Sequence, residues 1–381
     1  MRGWGRMWIF GSCAVLALLC LYQCYRKRKQ RKILDAKLRN SPRNRSAYLG
    51  LRNQGSTCYL NSLLQCLFLA PNFTNILFNY IPSHFRIWGQ PGIVYQLQKL
   101  FINLQYGRTA PSTQEITDSL GINNVHQPQD VEKYFRHLVN KIGEESGEIL
   151  QLFVLDMVHC IRCERCDKKT ILPNCMLSLP LSIQQPHSSL TDAFSVKDAL
   201  DNFLKQKELT GENKCYCDLC ESKQDASSLF YFKYLPKILV IILKRYEFYN
   251  TSFRKLHDKV SVPCELTVPQ SSSTEENAIQ CMYNLFAICH HHGGVRGGHY
   301  VAEINSFEDN HWYHFNDAAV CKIIEEENLL DTKISDTAYL LMYHQQNAHI
   351  PSFLEKNQLN SYMQNLIDET LRRCENHIFL V

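Results

Sequence analysis

Within residues 49–346 of this 381-residue chain the spacing of apolar residues changes once, and that change dictates two differently built halves. Between 49 and 150 the spacing is helical. Leu60, Leu63, Leu64, Leu67 and Phe68 mark one helix face, and Val131, Tyr134, Phe135, Leu138 and Val139 mark another. From 234 to 346 strands dominate. Ile238 to Leu243 is a continuous apolar run, as in a strand buried on both faces, and aromatic-rich alternation marks 297–304 and 312–317. Shorter strands fill 151–233. Helices followed by strands, rather than alternating with them, predict an α+β fold. Hydrophobic residues make up 45 % of the chain, enough for a sizeable core, and no internal linker interrupts it.

Cys58 stands where the polar turn Asn53-Gln54-Gly55-Ser56-Thr57 runs into the first helix. With Thr57 as N-cap, the sulfur lies beside the positive end of the helix dipole and its unpaired N–H groups. That setting predicts a lowered thiol pKa and a nucleophilic thiolate. Free cysteine also packs as a small core hydrophobe, so spacing alone leaves both readings open. His299 adds weight to the first. It follows Gly297-Gly298, and Asn316 and Asp317 end the next strand. A cysteine, a histidine and an Asn/Asp distant in sequence are the parts of a thiol protease. The base takes the thiol proton, and the third group fixes the imidazole tautomer.

Seventeen cysteines would suit a disulfide-stapled protein, but their spacing points elsewhere. Cys163-x-x-Cys166 and Cys217-x-x-Cys220 are two knuckles that can give four tetrahedral thiolates to one structural Zn²⁺, with no open position for water. Cys160 and Cys215 offer competing pairs. The outer choice is favoured because polar turn residues follow each second cysteine. Unpaired thiols in this number fit a reducing compartment. The run His290-His291-His292 has no carboxylate or cysteine at ligand spacing and is discounted as a metal site.

The formal charge of +4 hides an asymmetry. Residues 1–46 hold twelve Lys/Arg against Asp35 alone, a net +11, so the remainder carries −7. An acidic body suits a basic, extended substrate tail. The basic excess borders nineteen uncharged, mainly apolar residues at 7–25, close to the ~20 that cross a bilayer. The cluster Arg26-Lys27-Arg28-Lys29-Gln30-Arg31-Lys32 outweighs Arg2 and Arg6, so the positive-inside rule leaves the body in the cytosol. The expectation is a transmembrane anchor at 1–25 and a basic tether at 26–48. A cleaved signal peptide fits less well, because the charge lies on the wrong flank and no small-residue cleavage site precedes it. A short span with basic flanks leans towards the mitochondrial outer membrane over the endoplasmic reticulum. Nucleic-acid binding is excluded, since the basic residues crowd beside the span and the knuckles offer few. In the tail 347–381, Leu359, Tyr362, Met363, Leu366, Ile367 and Leu371 form an amphipathic stripe expected to dock on the body.

The boxes around Cys58 and His299 resemble those of the ubiquitin-specific proteases, papain-like enzymes that cut after the C-terminal glycine of ubiquitin or a ubiquitin-like modifier. The cysteine box is Gly55-Ser56-Thr57-Cys58-Tyr59-Leu60-Asn61-Ser62. The histidine box runs from Tyr283-Asn284-Leu285-Phe286-Ala287 to Gly298-His299-Tyr300. Leu235-Pro236 with Leu243-Lys244-Arg245-Tyr246, and the closing Ala338-Tyr339-Leu340-Leu341-Met342-Tyr343, fit further blocks. The resemblance implies a thumb (49–150), fingers (151–233) and palm (234–346) within a catalytic domain at 49–346. It implies Cys58 as nucleophile, His299 as general base, Asn316 as third member with Asp317 as substitute or helper, and Asn53 as oxyanion-hole side chain. It implies a zinc site in the fingers and no catalytic cofactor. Gln129, Asp130 and Glu132 match a box that grips the basic tail of ubiquitin, but Lys133 stands where the family usually has glutamate. The lean frame and this weakened box also resemble the branch that acts on the interferon-induced ubiquitin-like modifier. An inactive, zinc-stabilised ubiquitin-binding module is the remaining alternative, and the presence of Cys58, His299, Asn316 and Asn53 together argues against it.

Overall fold

In the computed structural model the chain divides into two units, 1–48 and 49–381. The structure describes residues 48–82, 92–183, 194–249, 251–271, 278–295, 297–324, 332–346 and 352–378. The expected membrane span at 7–25 and nearly all of the tether lie outside these residues. Among those described, no helix is long and apolar enough to cross a membrane.

The first part of the second unit is helical. Helices α1 (Cys58–Phe68), α2 (Pro71–Asn79), α3 (Ile93–Tyr106), α4 (Gln114–Ser119), α5 (Val131–Gly143) and α6 (Gly147–Gln151) follow in order. α1 contains no Gly or Pro, and Pro71, which favours a first helical position, opens the next helix. Every residue of α1 is buried, so its apolar stripe is only the most hydrophobic side of a helix enclosed all round. Leu60, Leu63, Leu64 and Leu67 are 0 % exposed, and burying each such side chain stabilises the fold by about 1.5–3 kcal/mol. Phe101 meets Phe73, and Phe153 meets both Phe73 and Phe135, closing an aromatic core beneath the helices. Asp130 caps α5 by accepting the Lys133 N–H.

Strands then take over: β1 (Leu155–Cys163), β2 (Lys169–Met176), β3 (Leu179–Ser182), β4 (Phe194–Ser195), β5 (Lys207–Leu209), β6 (Cys215–Cys217), β7 (Ser222–Gln224) and β8 (Ala226–Tyr234), with helix α7 (Val196–Leu204) after β4. There follow β9 (Ile238–Lys244), β10 (Tyr246–Tyr249), β11 (Ser252–Lys255), β12 (Val260–Pro263), β13 (Glu265–Gln270), β14 (Ile279–Gly294), β15 (Gly297–Asn305), β16 (Trp312–Asn316), β17 (Ala319–Lys322), β18 (Thr332–Ser335) and β19 (Ala338–Gln345). Two sheets matter for function. A four-stranded sheet ordered β2-β1-β8-β5 carries the cysteine knuckles, together with the β6–β7 pair. An eight-stranded sheet ordered β17-β16-β15-β14-β19-β9-β3, with β13 also on β14, forms the floor against which α1 packs. β3 comes from within 151–233 yet lies parallel to β9 in the large sheet. The apolar run 238–243 forms β9, an interior strand between β19 and the edge strand β3, and its residues are buried on both faces.

Arg245 directly follows β9 and is fully buried. It donates to the carbonyls of Ala338 (2.6 Å), Leu256 (3.3 Å), Asp258 (3.0 Å) and Ser335 (3.2 Å), so one guanidinium ties the β11–β12 loop and the β18–β19 turn to the end of β9. At the far end, helix α8 (Ser361–Ile378) packs on α3, as its stripe predicts. Met363, Leu366 and Ile367 are buried, and Tyr362 donates to Gln98 Oε1 at 3.1 Å.

Candidate active site

Cys58 is the first residue of α1, and the loop that delivers it is folded around Asn53. The Asn53 Oδ1 accepts from the N–H of Gly55 (2.8 Å), the N–H of Thr57 (3.2 Å) and the Thr57 hydroxyl (3.3 Å). Thr57 occupies the N-cap position, but its hydroxyl does not cap the helix. It accepts from the Gln54 N–H at 3.0 Å instead, because the loop turns back on itself before the helix begins. With Oδ1 engaged, the Asn53 amide nitrogen is aimed outward, and it donates to Asp317 Oδ2 at 2.9 Å.

Asp317 follows the strand that carries Asn316 and has a positive φ of 50°. This left-handed conformation is uncommon outside glycine, and Asp is among the residues that tolerate it. Its carboxylate joins two segments more than 250 residues away in sequence: Oδ2 takes Asn53, and Oδ1 takes Asn61 Nδ2 at 2.7 Å. Its carbonyl accepts the Leu51 N–H at 2.8 Å. A Cβ on Gly50 would lie 2.2 Å from that same carbonyl oxygen, so only glycine lets the two backbones come this close. Asn61 was not among the residues expected to serve the site. Its signal was present: it lies three residues after Cys58, on the same helical side, and a buried amide requires partners.

His299 lies on β15, next to β16 in the sheet. Its Nε2 is 2.7 Å from Asn316 Oδ1. A carbonyl oxygen only accepts, so the ring proton resides on Nε2 and Nδ1 keeps its lone pair. The next residue, Tyr300, donates its backbone N–H to Cys58 Sγ at 3.4 Å. Cysteine and histidine segments therefore meet across the boundary between α1 and the sheet. The two side chains share no hydrogen bond here.

Burial dominates the acidity of the thiol. Cys58 is 6 % exposed, and desolvation pushes its pKa above the ordinary thiol value. The Tyr300 N–H pulls it down, while the charge of Asp317 pushes it further up. The N–H groups of Tyr59 and Cys58, at the helix start, also lower it but are outweighed. The lowered pKa expected from helix position is thus corrected: in this state the sulfur is a buried thiol, and position alone does not ionise it.

The residues expected to hold a basic tail sit at the start of α5. Asp130 uses both carboxylate oxygens internally, Oδ1 for the Lys133 N–H (2.9 Å) and Oδ2 for the Tyr339 hydroxyl (2.6 Å). Glu132 accepts from Ser178 and pairs with Arg136, each at 3.3 Å. The Lys133 ammonium folds back to Gln129 Oε1 at 3.5 Å and lies 5.5 Å from the centre of the Tyr134 ring.

The second cluster is that of Cys163, Cys166, Cys217 and Cys220, whose sulfurs all lie within 4.8 Å of one another. Cys163 and Cys220 are 4.0 Å apart, and Cys166 and Cys217 are 3.6 Å apart. Four thiolates bound tetrahedrally to zinc at about 2.3 Å would stand roughly 3.8 Å apart, so the cluster fits one metal ion. Asp167 (φ 57°) and Glu221 (φ 50°) each follow the second cysteine of a pair and turn the chain in the left-handed region. Cys160 lies three residues before Cys163 on β1, which puts it on the opposite face of the strand. The sulfur of Cys215 contacts the Asn213 carbonyl, outside the cluster.

A helix that begins with a cysteine, packed on a mainly antiparallel sheet that presents a histidine hydrogen-bonded to asparagine, defines a papain-like cysteine protease architecture. The chain belongs to the ubiquitin carboxyl-terminal hydrolase family, whose model matches residues 49–343. It is 30 % identical over 409 residues to mouse (Mus musculus) "Ubiquitin carboxyl-terminal hydrolase 47", which covers 86 % of this chain and 30 % of that relative. It is also 30 % identical over 307 residues to Arabidopsis thaliana "Ubiquitin C-terminal hydrolase 12", covering 77 % of this chain and 27 % of the relative. The chain thus spans less than a third of the length of either. Among solved structures, a SAGA DUB module containing Ubp8 bound to monoubiquitin matches with a TM-score of 0.68 and 27 % identity, covering 81 % of this chain and 71 % of that one. The same module bound to ubiquitin aldehyde matches with a TM-score of 0.67 and 25 % identity, over 81 % and 72 % of the two chains.

Proposed function

We propose that this chain is a thiol-dependent deubiquitinase, which hydrolyses the isopeptide bond after the C-terminal glycine of ubiquitin on modified proteins. One observation carries the reading. The residue after His299 donates its N–H to the Cys58 sulfur at 3.4 Å, while Asn316 holds the far side of the imidazole at 2.7 Å. Catalysis then requires Nδ1 to be brought to the thiol. His299 takes the thiol proton, and the resulting ion pair offsets the burial that keeps Cys58 neutral. The thiolate adds to the carbonyl carbon of the terminal glycine. The oxyanion is held by the Cys58 N–H and the second Asn53 amide hydrogen, the first being engaged with Asp317. Collapse breaks the C–N bond, and His299 returns its proton to the leaving lysine amine. Water, deprotonated by the same imidazole, then cleaves the thioester and frees the carboxylate. In this reading Asn316 fixes the tautomer, while Asp317 acts on Asn53 and Asn61 rather than on the imidazole.

The four-cysteine cluster holds zinc in this reading, chosen for its soft thiolate ligands and tetrahedral spacing. The ion braces the fingers and takes no part in the chemistry. Gln129, Asp130 and Glu132 border the path of the ubiquitin tail. Acting there requires Glu132 to exchange Arg136 for the tail, and it leaves Asp130 mainly a cap. Residues 7–25 anchor the protein in a membrane, 26–48 tether it, and the catalytic domain faces the cytosol of the mitochondrial outer membrane or endoplasmic reticulum.

Paired substrates test the reading: a lysine isopeptide of ubiquitin and one of the interferon-induced ubiquitin-like modifier. Faster cleavage of the first, lost in Cys58→Ala, supports it. Faster cleavage of the second moves the chain to the other branch, and cleavage of neither leaves a binding module. Deleting 1–25 releases the protein from membranes with cleavage intact; a deletion variant that still sediments with membranes refutes the anchor.

A further inference from the structure

Strand β14 outruns its neighbour. β19 pairs with it as far as Ala338, opposite His290, and a last bond runs from the His291 N–H to the Thr337 carbonyl at 2.8 Å. In an antiparallel strand the N–H and C=O of one residue point to the same side, and the second residue onward repeats the direction. The carbonyls of His291 and Gly293 therefore face the side that β19 has left. Lys255, at the end of β11, fills it. Its Nζ donates to the His291 carbonyl at 2.7 Å, the Gly293 carbonyl at 3.0 Å and His291 Nδ1 at 2.9 Å. Lys255 is 9 % exposed, so these acceptors stand in for lost water. The arrangement requires a neutral imidazole at His291, and the Tyr246 hydroxyl lies 2.9 Å from the same Nδ1.

The return strand rests on that imidazole. A Cβ on Gly298 would lie 2.4 Å from His291 Nε2, and the Tyr300 ring is 4.6 Å from the His291 ring. His299 lies between these two residues and pairs with His292 across the hairpin.

We propose that Lys255 is a positioning residue for the reaction: its buried ammonium takes the place of a missing strand beside β14 and holds the β14–β15 hairpin in the placement that presents His299 to Cys58. The inference rests on the thiol-hydrolase reading above. Lys255 acts through the hairpin, not on the reacting atoms.

Lys255→Met keeps the apolar stem and removes the three donors. On a fluorogenic C-terminal amide of ubiquitin, kcat of the folded variant falls roughly 10- to 100-fold, the scale of an ångström-sized misplacement. KM stays within about threefold, since no substrate contact is lost. Lys255→Arg recovers part of kcat. A folded Lys255→Met with kcat within about twofold of wild type, whatever its Tm, overturns the proposal. If Lys255→Met does not fold, Lys255→Gln carries the same comparison. A substrate-free readout is the Cε1–H NMR signal of His299, assigned by its loss in His299→Ala. A shifted signal in the Lys255 variant supports the proposal, and an unmoved one overturns it. A wild type that does not turn over the ubiquitin amide refutes the deubiquitinase reading, and the NMR signal then decides the role of Lys255 by itself.

Discussion

Asp317 has two opposed effects on the candidate site. Its carboxylate holds Asn53 and Asn61 in place, yet its charge raises the pKa of Cys58. Asp317→Asn separates the two. Iodoacetamide alkylation of Cys58, followed by peptide mass spectrometry, will shift to lower pH because the repelling charge is gone. Turnover will fall because one of the two amide clamps is lost. An alkylation profile moving to higher pH would contradict this account of the thiol. If Asn53 serves the oxyanion as proposed, Asn53→Ala lowers kcat about 10²- to 10³-fold, equivalent to about 2.7–4 kcal/mol. Retained kcat would show that the amide serves only the loop. At this scale the sequence was informative where chemistry follows residue type: a cysteine at a helix start, a histidine after two glycines. It was silent on Asp317 as a clamp, because that role depends on contacts across 264 and 256 positions and on a left-handed backbone turn. It misjudged the Cys58 pKa because spacing reveals the helix dipole but not the burial that outweighs it.

Among the elements, the cysteine knuckles were the most legible from local pattern. Four residues at fixed spacing lie within 4.8 Å of one another, and the competing Cys160 is removed by strand alternation alone. The helix faces were partly legible: α5 and α8 bury the sides their periodicity indicates, whereas α1 is enclosed all round. Less legible was the origin of β3, which leaves the fingers segment to join the large sheet, since a four-residue run carries too little pattern to name its partner. Purified protein will contain one zinc per chain, and Cys217→Ser will lose it. Loss of one ligand will lower Tm by several degrees or more and reduce turnover without altering the chemistry of Cys58 alkylation. Full metal content in Cys217→Ser would contradict a four-thiolate site.

Across the whole molecule, four histidines, buried at 291 and 344, half-buried at 159 and exposed at 292, set how stability depends on pH. Burial first, then the charge of Lys255, brings His291 down to about 4, and burial also lowers His159, His292 and His344. A folded-state pKa below the unfolded value of about 6.5 means that the unfolded chain binds more protons between the two. The stabilisation is complete above pH 6.5 and is lost as pH falls towards 4, by about 3 kcal/mol for His291 alone. Urea unfolding across that range will show a shallower loss in His291→Gln than in wild type, and equal slopes would contradict the assignment. The α+β order of the chain was readable from the change in apolar spacing, whereas the meeting of its two halves was not, because it is made by tertiary contacts such as the Tyr300 N–H on the Cys58 sulfur. The proposed chemistry depends on that meeting. It is tested by labelling with ubiquitin carrying a C-terminal electrophile, read by intact mass and by the modified peptide. The account predicts one ubiquitin added at Cys58, none in Cys58→Ala, and labelling slowed about 100-fold or more in His299→Ala. A folded wild type that stays unlabelled, or that is labelled equally fast without His299, would contradict it.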